Sequence, residues 1–68
     1  MTGKEVLRIV KKAGGEVARR RGSHVRVRCG ACQTTVPLTG SKDLPPGTLR
    51  AIERDLEPVL GPRWLRQR

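Results

Sequence analysis

His24 is the one histidine in the 68-residue chain. It opens the run His24-Val25-Arg26-Val27-Arg28-Cys29, in which polar and apolar residues alternate. In a strand, that alternation sends His24, Arg26 and Arg28 to one face and Val25, Val27 and Cys29 to the other. An imidazole changes charge near neutral pH and serves there as a general base. A guanidinium stays charged and holds phosphate oxygens in pairs. A strand face carrying both types suits chemistry at a phosphoryl group. The plain alternative is that His24 is a polar residue on a solvated face. Residue types alone leave both readings open.

The surroundings of this run favour a polyanionic partner. Fifteen Lys and Arg stand against six Asp and Glu, for a net charge of +9. The charge is concentrated: residues 19–28 contain five arginines and no acid, and residues 42–57 are close to neutral. A field of that sign attracts nucleic acid first and anionic membrane second. The Arg19-Arg20-Arg21 cluster precedes Gly22-Ser23, so Arg20, Arg21, Gly22, Ser23, Arg26, Arg28 and Lys42 are the expected phosphate-contacting residues beside His24. Trp64 is the one aromatic residue, too few for a platform that stacks successive bases. Recognition should therefore rest on phosphates, shape and sugar hydroxyls. No apolar run is long enough to span a bilayer. Charges at Lys4, Glu5, Arg8, Lys11 and Lys12 are unlike a signal peptide. A cytoplasmic location is the expectation, and broken helices argue against a membrane-surface peptide.

Other reactive residues carry less. Cys29 and Cys32 form a single C-x-x-C, half of a four-ligand zinc site, with His24 on the opposite strand face. No metal and no cofactor is expected; a hairpin tip with two thiols is the simpler reading. Gly47-Thr48, at a helix start, offers backbone N–H groups either to a phosphate or to an ordinary cap. Trp64 is expected to anchor the tail onto the core or a partner. Arg63, Arg66 and Arg68 would extend a basic surface.

These residues need positioning elements. Thr2 and Glu5 have capping-box spacing. Val6, Ile9, Val10 and Ala13 then follow at helical period until Gly14-Gly15. Strands are expected over 16–20, 24–29 and 34–38, turning at 21–23 and near Gly30, with Pro37 ending the third strand or placing it at an edge. Pro45-Pro46 opens a second helix with Leu49, Ile52 and Leu56 on its apolar stripe, ending at Glu57-Pro58. The fold class is α+β, in the order α-β-β-β-α: a three-stranded antiparallel sheet with two helices on one face. One domain over residues 1–58 and a basic C-terminal extension over 59–68 are expected, with a short turn at Trp64-Leu65 covering the core.

The succession Gly22-Ser23-His24, Thr35-Val36-Pro37 and Lys42-Asp43-Leu44-Pro45-Pro46-Gly47-Thr48-Leu49-Arg50-Ala51-Ile52 resembles the HicA family of toxins from toxin–antitoxin pairs, over roughly Thr2 to Glu57. The resemblance implies a fold similar to a double-stranded-RNA-binding domain and metal-independent cleavage of mRNA that arrests translation. It also implies an antitoxin partner, HicB, covering the active site of a monomeric toxin. The family's essential histidine falls on His24. The chain departs from many relatives at Glu16, at Cys29-Gly30-Ala31-Cys32 and at Leu38-Thr39, where an aromatic, a plain polar turn and a further basic or His residue are common. The competing class is a non-catalytic module binding double-stranded RNA or DNA through the same basic face.

Overall fold

The computed structural model describes residues 1–66; Arg68 lies outside them. Helix α1 (Gly3–Lys12) is followed by strands β1 (Glu16–Arg21), β2 (His24–Cys29) and β3 (Cys32–Pro37), then helix α2 (Pro46–Leu60). The strands form one antiparallel sheet in the order β1-β2-β3. The expected α-β-β-β-α arrangement is the one observed.

The reciprocal cap forms at the start of α1. Glu5 N–H donates to Thr2 Oγ1 at 3.2 Å, and Thr2 N–H donates to Glu5 Oε1 at 2.8 Å. At the other end, Gly14 N–H donates to the Lys11 carbonyl and Gly15 N–H to that of Val10, a Schellman closure. A Cβ at Gly15 would collide with the Val10 side chain and press on the Arg28 carbonyl. That glycine lets the helix end lie directly against β2.

Each hairpin turns on two residues, Gly22-Ser23 and Gly30-Ala31, and in each only the first, a glycine with φ 59°, has positive φ. That is the type II′ pattern, whose twist matches the flanking strands. The tight turns set the register: His24 faces Arg21 on one side and Pro37 on the other. β1 slips by one residue between Val17 and Arg19, leaving Ala18 as a bulge.

One sheet face is dry. Val25, Val27, Cys29, Thr34 and Val36 are buried there, packed with Val6 and Val10 of α1 and Ile52 and Leu56 of α2. Thr34 satisfies its hydroxyl by donating to Asp55 Oδ2 at 2.8 Å. The other face carries no element. β1 is exposed along its whole length, Val17 included.

α2 runs through Pro58 to Leu60, past the end expected at Glu57-Pro58. Proline removes one ladder bond and crowds the preceding turn, but here it sits in the last turn. Leu60 packs against the core, and Gly61 closes the helix by donating to the Glu57 carbonyl at 2.8 Å. The chain then folds back in a turn with Gly61 at φ 88° and Arg63 at φ 60°. A left-handed arginine costs on the order of 1 kcal/mol. Burial of Trp64 and Leu65 offsets it, and the Trp64 indole donates to the Glu53 carbonyl at 2.8 Å. The expected cover over the core at Trp64-Leu65 is present.

Candidate nucleic-acid interface on the open sheet face

Register decides which side chains share the open face, because directly paired residues project to the same side. Three rows result: Arg21–His24–Pro37, Arg19–Arg26–Thr35 and Glu16–Arg28–Gln33. His24, Arg26 and Arg28 are exposed, as the alternation of β2 required.

The first row lies at the turn. His24 follows Gly22-Ser23, and the Ser23 carbonyl accepts from Leu38 N–H at 2.6 Å, fastening the turn to the end of β3. A Cβ at Gly3 would strike the Pro37 carbonyl, so the first turn of α1 abuts this end of the sheet from behind. The backbone around His24 is thus held on three sides. Its imidazole is exposed, and among the described residues no carboxylate or carbonyl is hydrogen-bonded to it.

In the second row Arg26 reaches across β3. Its Nε donates to Gln33 Oε1 at 3.3 Å and its Nη1 to Thr35 Oγ1 at 2.9 Å. Arg19 stands opposite Arg26 with no acid in the row. In the third row Arg28 lies 3.9 Å from Glu16, both well exposed, so that row is nearly neutral. Positive charge on the open face is therefore concentrated at the turn end, around His24.

The expected site residues divide accordingly. Arg21, Gly22, Ser23, Arg26 and Arg28 come together with His24 on this face or at its turn. Arg20 pairs with Val25, which puts it on the helix side of β1, where its Nε lies 3.4 Å from the Gly22 carbonyl. Lys42 sits in the loop after β3, its backbone tied to Thr39, and belongs to none of the rows. In the sequence Arg19 stands out only as part of the basic cluster, and nothing there marks Gln33 or Thr35. A two-residue turn at Gly22-Ser23 pairs residues 21 and 24, hence 19 and 26; the wider turn expected at 21–23 concealed that register.

Cys29 and Cys32 are register partners beside the second turn, both as free thiols, with Cys29 buried. Among the described residues no group of three or more His, Cys, Asp or Glu is placed to hold a metal ion. No described helix is long and apolar enough to cross a membrane.

A helix-backed sheet with one bare, arginine-rich face and a lone histidine at its turn defines a small basic α+β protein. The model of the HicA toxin of bacterial toxin–antitoxin systems matches residues 3–57 of the 68, and the chain belongs to that family. Comparison with curated proteins and with solved structures gave no match.

Proposed function

We propose that this member of a toxin family acts as a metal-independent endoribonuclease that cleaves mRNA and arrests translation, with His24 as its catalytic base. The observation that carries the proposal is the placement of His24. Within the family-matched region it occupies the turn end of the only bare sheet face, in one row with Arg21 and beside the row of Arg19 and Arg26.

In the proposed reaction, His24 takes the proton of a ribose 2′-hydroxyl as that oxygen attacks the adjacent phosphorus. The bond from phosphorus to the 5′-oxygen breaks. The products are a 2′,3′-cyclic phosphate and a 5′-hydroxyl, the leaving oxygen taking its proton from water, a lysine or the imidazolium just formed. Arg21, in the His24 row, holds the phosphoryl oxygens as charge accumulates on them, and Arg26, one row along the strand, contacts the RNA backbone beside it. Gly22 and Ser23 give the close approach, and Arg28 and Lys42 lie at the margins of the footprint. Because the chain holds one histidine and no tyrosine, no second titrating side chain of matched pKa assists, and turnover should be slow. The α-β-β-β-α order supports the likeness to double-stranded-RNA-binding domains. A HicB-like antitoxin would inhibit by covering the open face of a monomeric, cytoplasmic toxin.

The exposed imidazole lacks an orienting partner, which favours the second reading, a non-catalytic RNA or DNA binder. Induced expression of wild type and His24→Ala, with cleavage assays on both purified proteins in the presence of chelator, separates the two. Growth arrest and cleavage by the wild type alone support the nuclease. Equal arrest by both, without cleavage, supports the binder.

A further inference from the structure

We propose that the Arg19–Arg26 row is a second phosphate subsite. It would take the phosphodiester neighbouring the one cleaved at His24, so that efficient cleavage requires two successive phosphates. This rests on the nuclease reading of the same face.

Four observations lead there. Two arginines directly opposite one another across an antiparallel pair repel, and the only acid on the open face among the described residues, Glu16, lies beside Arg28 instead. The row is thus charged without internal compensation. Arg26 is also held in place: Gln33 and Thr35 accept from its Nε and Nη1, leaving the remaining N–H groups for an anion at little further entropic cost. The two-residue turn at Gly22-Ser23 pairs Arg21 with His24 and Arg19 with Arg26, so both arginines reach the open face and Arg20 does not. The bulge at Ala18 then returns Glu16 to that face beside Arg28, one row away from the arginine pair. Finally, the His24 and Arg26 rows lie two strand residues apart, about 6.7 Å, of the same order as one nucleotide step. Trp64, the one aromatic residue, offers no grip on a base there: it is buried and bonded to Glu53 on the helix side.

The test uses the full chain and a defined oligoribonucleotide cut at one mapped linkage. Versions of it carry a neutral methylphosphonate at the phosphate immediately 5′ or 3′ of that linkage. One of the two replacements should lower wild-type kcat/KM about tenfold, the loss of one charge-assisted contact. Arg19→Gln should show a similar loss on the natural oligomer and little further loss on the substituted one. Arg20→Gln should lose several-fold less and keep its sensitivity to the substitution. Lys11→Gln, which removes the same charge from α1, should behave as wild type. Arg19→Gln should also unfold at the same or a higher temperature, since it relieves repulsion; a structural role would lower that temperature. Wild-type kcat/KM for Arg19→Gln, or full methylphosphonate sensitivity retained by it, overturns the subsite. If the wild type cleaves nothing, the nuclease reading fails on its own. The same variants and oligomers, with 2′-deoxyribose at the mapped or central linkage, are then compared by fluorescence anisotropy. There, equal affinity of Arg19→Gln and wild type overturns the subsite.

Discussion

At the residue scale, the open face joins one exposed imidazole to arginines held in different ways. Arg26 is braced by Gln33 and Thr35, whereas Arg19 and Arg21 make no ion pair among the described residues. Thr35→Val keeps the shape of the side chain and removes the shorter brace, a bond worth about 1 kcal/mol. Cleavage should fall several-fold in steady-state assays, and the melting temperature should fall by about 4–8 °C, the shift that 1 kcal/mol produces in a domain of this size. His24→Gln should stay folded by circular dichroism, bind RNA and cleave none of it. Wild-type cleavage by that variant would remove His24 from the mechanism.

At the element scale, the site depends on how β1 and β2 meet. Ala18 is the extra residue of the bulge. Deleting it restores regular pairing and leaves Glu16, Arg19 and Arg21 on the open face. The shortened chain should therefore keep its cleavage activity, and loss of activity in a folded deletion variant would show that the local twist of the bulge matters as well. Gly15→Ala should be destabilised by about 1–3 kcal/mol through overpacking, because its methyl group meets Val10 and the Arg28 carbonyl. Thermal or urea unfolding measures this. Thr2→Ala should cost about 1 kcal/mol by the same measurement, through loss of the cap to Glu5.

At the scale of the whole molecule, sequence and tertiary structure divided the work. The fold order was legible because each element follows from local physics. A helical apolar period with a capping box and Gly-Gly stop made α1. Strict alternation made β2. Glycine at the turns gave two hairpins, and a helix-opening proline pair began α2. His24, Arg26 and Arg28 on one face followed directly from the two-residue period of a strand. The end of α2 was not legible, because proline's local cost is outweighed by packing of Leu60, Trp64 and Leu65 against a core drawn from residues distant along the chain. Trp64 and Leu65 complete the core that Ile52 and Leu56 begin. Truncation after Pro58 should therefore leave a chain that melts well below the full-length protein, and Trp64→Ala alone should cost about 3–5 kcal/mol. The side of β1 on which each arginine falls was likewise hidden. Arg19, Arg20 and Arg21 are chemically equivalent as sequence, and their faces depend on a register that exists only once β1 pairs with β2. Element order and basic character follow from local periodicity and composition, and so does the strand face on which His24 lies. That Arg19 and Arg21, rather than Arg20, stand with it follows from strand pairing, because a one-residue shift in register exchanges the faces of every side chain beyond it.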